Sequence, residues 1–355
     1  MERPWFIDSI RAEAREYSER SKKAGKFGHI PDADPAKNMF ILHSANQWMD
    51  IEKDTPMPKM LFGEFWYQGE LCILFADTNA GKSVLAVQIA NALASRQQIY
   101  TFGIETEPAN VVYLDFELSS KQFQARYTNQ AQVPYRFGKG FYRAGFDPGA
   151  EMPFDFKTYD DYMNHAIESA VVRTRANVLI IDNITSLRSG TERASDALPL
   201  MKHLQKLKSK LQISILVLAH TPKRNAARPI TRNDLQGSKM LINFADSAFA
   251  IGKSCAEPNL HYLKQVKQRS TAEVYGENNV CLCRIAKPEN FLHFEFLGHA
   301  PERSHLYRPT EGERKLLQAQ VIELSKQGLS IRQIATQLGI GSSTVGRVVK
   351  ENGES

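Results

Sequence analysis

Residues 76–83 read ADTNAGKS. A Gly-Lys-Ser ending at the start of a helix suits a phosphate cradle, because consecutive backbone N–H groups converge on phosphate oxygens while the lysine adds charge. The usual pattern, G-x-x-x-x-G-K-[ST], has glycine where Ala76 stands. The position needing most backbone freedom precedes the lysine, and Gly81 fills it. Ala76 closes a strand, where a methyl group is tolerated, and Asn79 enters the left-handed region at low cost. Ala76, Asp77, Thr78, Asn79, Ala80, Gly81, Lys82 and Ser83 therefore form an expected ATP-binding loop. Lys82 is expected on the β- and γ-phosphates and Ser83 on Mg²⁺.

The metal needs a second oxygen, which a carboxylate at the tip of a neighbouring strand can supply. Asp182, at the end of NVLIID, is that candidate. Hydrolysis also needs a group that activates water. The run VVYLDFEL offers Asp115 and Glu117, two apart; Glu117 is the candidate base and Asp115 a structural neighbour. His220 ends ISILVLAH, at the strand edge where ligands bind in doubly wound sheets, and is placed to sense the γ-phosphate.

Short apolar runs without polar alternation must carry these groups: LCILFA (71–76), VVYLDF (111–116), NVLIID (177–182) and ISILVLAH (213–220). Helical segments separate them, VLAVQIANALA (84–94) and LPLMKHLQKLKSKL (198–211) among them. That alternation predicts an α/β fold with a mostly parallel sheet covered on both faces. HYLKQVKQRS, NVCLCRIA and FLHFEFLG read as antiparallel additions. Ahead of this core, residues 1–60 read as a helical arm. Its stripe of Phe6, Ile10, Ala14 and Tyr17 suits either a mobile tail or a contact with a neighbouring subunit.

The core, residues 61–300, resembles the RecA-like P-loop ATPases, in particular the hexameric replicative helicase branch of DnaB-like and plasmid RepA-type enzymes. The likeness rests on ADTNAGKS, YLDFELS, LIIDN, LAHTPKR, DLQGS and KQVKQRS. It implies that Glu117 activates water, that His220 reports nucleotide state, and that Lys267 and Arg269 cross to the γ-phosphate of the next subunit. The implied assembly is a hexameric ring acting on single-stranded DNA. Two loops would line its channel: one with Arg188 and Arg193, the other with Lys223, Arg224, Arg228 and Arg232. DLQGS has Gln236 where the family commonly has arginine.

After a linker at 301–310, residues 311–355 form a second module. GLSIRQIATQLGIGSSTVGRVVK reads as two helices around a tight turn. Ser330 is expected to cap the first, whose buried stripe is Ile331, Ile334, Ala335 and Leu338. Ser342 and Ser343 are expected to cap the second. The segment resembles the helix-turn-helix of resolvase/invertase-type recombinases, which implies duplex DNA in contact with Ser343, Thr344 and Arg347. Residues 314–350 hold six Lys/Arg against one Glu, as a DNA-facing module requires. A three-helix protein-docking domain is the other reading of the same pattern.

The totals fit this reading. The 355 residues carry a formal charge of only +6, so charge placement and not its sum must argue for nucleic acid. Four cysteines without a C-x-x-C pair, and no apolar run long enough for a bilayer, predict a cytoplasmic protein. The expected function is a DNA-dependent ATPase, as a helicase or translocase of plasmid or mobile-element replication. The alternative is an ATP-controlled DNA-binding switch that does not unwind.

Overall fold

A computed structural model describes residues 40–147, 149–184, 194–222, 224–235 and 239–353. The N-terminal stripe from Phe6 to Tyr17, and Arg188, Arg193, Lys223 and Gln236, lie outside the described residues. The chain divides between Pro58 and Lys59 into two compact units. In the first, helix α1 (Ala45–Glu52) opens with a capping box. The Ser44 hydroxyl accepts from the Gln47 N–H, and the Gln47 side chain accepts from the Ser44 N–H.

The second unit is built on a nine-stranded sheet. Its strands are β3 (Leu71–Ala76), β4 (Val111–Asp115), β5 (Phe141–Gly145), β6 (Val178–Asp182), β7 (Ser214–His220), β8 (Ser247–Lys253), β9 (Leu260–Lys267), β10 (Val280–Ala286) and β11 (His293–Ala300). The order is β11-β10-β9-β8-β3-β7-β6-β4-β5, and β1 (Met60–Phe62) with β2 (Trp66–Tyr67) forms a separate two-stranded sheet packed on the same core. From β5 to β8 every pair is parallel; from β8 to β11 every pair is antiparallel. This is the α/β core with a mostly parallel sheet expected from the apolar runs, with the three later segments as antiparallel additions. Strands β5 and β8 were not anticipated. β5 is an edge strand with no fully buried residue, so it lacks the apolar signal of its neighbours.

Every residue of β3, β4 and β6 is buried, which requires cover on both faces. On one face lies α2 (Lys82–Ser95), buried along nearly its whole length. On the other, Ile167 and Val171 of α4 (Tyr159–Thr174) join Leu200, Leu204 and Leu207 of α5 (Ala194–Leu211). A short α3 (Ser120–Arg126) follows β4, and α6 (Lys239–Phe244) precedes β8. The β10–β11 hairpin curls over α2: the Gln88 side chain donates to Phe294 O at 3.1 Å and accepts from Phe294 N at 2.9 Å. Cys281 and Cys283 are both buried and unpaired, as core residues of that hairpin.

Helices α7 (Glu311–Lys326), α8 (Ile331–Leu338) and α9 (Ser342–Gly353) enclose a small core of Val321, Ile334, Ala335, Val345 and Val348. Ser330 caps α8 in a capping box with Gln333, and Gly339 ends it at φ 64°. Two sequence expectations fail here. Ile331 is exposed, because as the first residue of α8 it precedes the turn that packs. Ser342 and Ser343 lie inside α9; Gly341 takes the capping position, its carbonyl accepting from Thr344 and Val345. No helix among the described residues is long and apolar enough to cross a membrane.

Candidate active site

Four parallel strands end side by side: β3 at Ala76, β4 at Asp115, β6 at Asp182 and β7 at His220. The register sets Ala76 against His220 and Asp115 against Asp182. The phosphate loop and both candidate reactive groups, Glu117 and His220, thus leave the sheet at one edge, where doubly wound sheets bind ligands.

The loop closes as its sequence allows. Asn79 takes φ 59°, and Gly81 takes φ 92°. A Cβ on Gly81 would stand 2.7 Å from both Ile285 and Phe294, so the hairpin overhead and the positive φ each require glycine. Gly81 is the N-cap of α2 and supplies no capping side chain, leaving the leading N–H groups of the helix for an anion. Asp77 accepts from the Thr221 hydroxyl, and Lys253 donates to Thr78 O at 3.4 Å, bracing the loop from two sides.

Lys82 is buried, and desolvation holds its pKa below the usual lysine value. Its ammonium donates to Ala76 O and Asp77 O, each at 3.2 Å, and lies 3.1 Å from His220 Nδ1. An ammonium has only donors, so Nδ1 accepts and the proton of a neutral His220 sits on Nε2. From there it faces Glu117 Oε1 at 3.4 Å.

Glu117 stands two residues beyond the end of β4. Asp115 Oδ1 places it by accepting the N–H groups of Glu117 (3.1 Å) and Leu118 (2.9 Å). Asp115 is itself fixed by Arg143 at 2.8 Å, a structural neighbour as expected. Glu117 Oε1 also accepts from the Asn183 amide. Hydrogen bonding to His220, with Asn183 adding to it, holds the Glu117 carboxyl below the usual range, so it is ionised at neutral pH.

Asp182 is buried, and desolvation raises its pKa to about 6 against the opposing pull of the Ser83 and Tyr113 hydroxyls. Its Oδ2 accepts from Tyr113, while Oδ1 is buried without a hydrogen-bond partner among the described residues. An orphaned carboxylate oxygen near a serine hydroxyl fits a hard cation such as Mg²⁺, which takes few protein ligands and keeps water. In the folded protein this carboxyl ionises later than in the unfolded chain, at about 6 against 3.8. Folding stability from this group is thus present at low pH and declines as pH rises from about 4 to about 6, by on the order of 3 kcal/mol. Asp182→Asn is expected to melt at a higher temperature than the parent at pH 8 without nucleotide, the gap shrinking at pH 4, and to lose metal-dependent hydrolysis. Thermal melts at the two pH values check the first part; an unchanged gap would remove the buried carboxylate as its cause.

Sequence reasoning missed Asn183, Tyr113 and Arg143. Asn183 was visible as a polar residue directly after a strand-ending acid. Tyr113 reads as one more apolar strand residue; only the β4–β6 pairing brings its hydroxyl to Asp182.

The other candidates lie elsewhere. Lys267 pairs with Ala248 on β8, a strand whose first residue pairs with Cys72 near the start of β3. That is the sheet edge away from the phosphate loop. Lys267 caps the carbonyls of Ile242 (2.6 Å), Asn243 (3.3 Å) and Ala245 (2.7 Å), and burial lowers its pKa to about 8. Arg269 falls past the end of β9, although HYLKQVKQRS reads as one strand segment. It donates to Asn243 O at 2.7 Å and pairs with Asp246 at 3.3 Å, yet half its side chain is exposed.

The basic segment directly follows His220. Arg228 and Arg232 are exposed and Arg224 is half-buried; Arg224 donates to Arg228 O at 3.0 Å and Arg232 to Val266 O at 3.2 Å. On α9, Ser343 and Arg347 are exposed and Thr344 is half-buried.

A family model described as an AAA domain matches residues 41–226, more than half of the chain. A second, described as a homeodomain-like domain, matches residues 313–354. Among solved structures, the crystal structure of a KaiC-like protein from the hyperthermophilic archaeon Pyrococcus horikoshii OT3 is similar at 13% identity. Its TM-score is 0.42, over 65% of this chain and 91% of that one. No curated protein matches the chain.

Proposed function

This chain belongs to the AAA domain family, and from that premise we propose that it is a DNA-dependent ATPase of the ring-forming helicase type, moving on single-stranded DNA. An AAA-type ATPase domain and a C-terminal homeodomain-like helix-turn-helix are its two recognised modules. The proposed division is an arm at 1–60, the ATPase at 61–300, a linker at 301–310 and a DNA-binding module at 311–355. The proposed branch is the DnaB-like and plasmid RepA-type one.

One observation carries the reading: Lys82 and Ser83 open α2 just after β3, Glu117 follows β4, Asp182 and His220 end β6 and β7, and all five meet at one sheet edge. ATP would set its phosphates against the uncapped N-terminus of α2. Lys82 would exchange the carbonyls of Ala76 and Asp77 for phosphate oxygens, which releases His220 Nδ1. Glu117, ionised and oriented by Asn183 and His220, would take the proton of the attacking water. Ser83 and Asp182 would hold Mg²⁺, which supplies charge neutralisation on the β- and γ-phosphates. His220 connects this site to the basic segment that follows it, so phosphate occupancy can move the residues that would touch DNA.

Lys267 and Arg269 stand at the sheet edge away from their own phosphate loop, so neither can serve it; a ring would bring them to a neighbour's. Three carbonyls already engage Lys267, which leaves Arg269 as the group able to reach out. Arg269→Ala is expected to lower the DNA-stimulated ATPase rate by about 10³-fold or more while ATP affinity holds. Parallel loss of rate and affinity would argue against a role across subunits.

A strand-displacement assay on tailed duplexes tests the whole reading. Unwinding with a preference for a 5′ or a 3′ tail supports the motor. ATP-dependent duplex binding without displacement would instead establish the regulatory switch.

A further inference from the structure

Glu302 is fully buried in the segment that leads to the helix-turn-helix module, yet nothing in the hydrolysis chemistry uses it. A carboxylate is kept in such a place only with charge and hydrogen-bond partners. Its partners are specific. Lys264, itself buried, forms an ion pair with Oε2. Oε1 accepts from the Ile230 N–H at 2.8 Å and from the Tyr262 hydroxyl at 3.1 Å. Lys264 closes the ring by donating to Ile230 O at 2.8 Å.

Ile230 is the buried foot of the basic segment, between exposed Arg228 and Arg232. The same strap grips that segment again where Tyr307 N donates to Ala226 O at 3.0 Å. It is anchored beneath by His305, whose carbonyl accepts from Cys255 N at 2.8 Å and whose Nδ1 lies 3.0 Å from the Ser254 hydroxyl. At its other end the basic segment is tied to the phosphate loop: Thr221 donates from its N–H to Ala76 O at 3.1 Å and from its hydroxyl to Asp77. Past Tyr307, Thr310 already caps α7, so only three residues separate the strap from the first helix of the DNA-binding module. Three residues span at most about 11 Å. A shift of the strap therefore cannot be lost in slack chain.

We propose that Glu302 is a positioning residue that fastens the basic segment to the 301–307 strap, so that nucleotide at the phosphate loop and duplex DNA on α9 alter each other's affinity. The coupling rests on the ATPase reading above, and it is reciprocal by thermodynamic necessity: each ligand changes the other's dissociation constant by the same factor.

The test uses the full chain, a mixed-sequence 30-base-pair duplex and a non-hydrolysable ATP analogue. Anisotropy measures the affinity of each with and without the other. The parent is expected to show a factor of about fivefold or more in both directions. Eight Gly/Ser residues inserted between Arg308 and Pro309 leave the strap and both binding sites intact, and are expected to bring the factor to about one with each separate affinity kept. The pair Glu302→Leu/Lys264→Met, which removes both charges together and so avoids leaving one buried alone, is expected to reduce the factor while the analogue still binds. Independent binding in the parent, or a full factor in the insertion variant, overturns the strap while leaving the ATPase reading standing. Duplex binding without any analogue binding overturns the ATPase reading and the coupling with it.

Discussion

Lys82→Ala is expected to weaken ATP binding by more than a hundredfold and to leave the fold intact. The side chain is buried where desolvation works against its charge, and its present partners are two loop carbonyls and one imidazole nitrogen. None of these matches a triphosphate as a partner for an ammonium. A charge-assisted hydrogen bond contributes about 1.5–3 kcal/mol, and a lysine spanning two phosphates makes at least two. A loss of about 3 kcal/mol already exceeds a hundredfold in affinity. Stability should change little, because the substitution removes a desolvated charge together with its hydrogen bonds. Equilibrium binding of a fluorescent ATP analogue, with a thermal melt beside it, checks both halves. If the variant binds and turns over ATP as the parent does, the site lies elsewhere.

Glu117→Gln is expected to separate the two functions that Lys82→Ala removes together. The amide keeps the shape and still offers Asn183 an acceptor, so nucleotide affinity should stay within a few-fold of the parent. It cannot take a proton from water. General-base catalysis contributes typically about 10²–10⁴-fold, and single-turnover hydrolysis should fall by that much. The carboxyl is ionised at neutral pH because His220 and Asn183 hold it below its usual range, so the parent rate should be flat between about pH 6 and pH 8 as far as this group is concerned. A Glu117→Gln protein that hydrolyses ATP within threefold of the parent would assign the base to another residue. His220, with Nδ1 freed from Lys82, would be the next to examine.

Much of this was legible without coordinates, and unevenly. ADTNAGKS carries its own context, a buried strand before and a buried helix after, so a few consecutive residues define the loop. The β3, β4, β6 and β7 runs are continuous and apolar because each strand is covered on both faces, and that burial is written directly into residue type. β5 was not legible, since an edge strand with partly exposed residues has no such pattern. The exposure of Ile331 escapes the sequence for a related reason: helical periodicity assigns a face, but the end of a helix decides whether that face meets anything. Arg269 lies two residues past the end of β9, and periodicity does not mark where pairing ends.

Residue types and local spacing by themselves determined the α/β class, the phosphate loop and the acids and histidine that end neighbouring strands. These are properties of short segments, set by backbone freedom, burial and side-chain chemistry within about ten residues. Only the tertiary structure decided that Tyr113 and Asn183 hold Asp182 and Glu117, that Lys267 is occupied by the carbonyls around α6, and that Glu302 fastens the linker to Ile230. Each of these joins residues 22 to 72 positions apart. No local signal reports such a contact, because it exists only once strand order and register have brought the segments together.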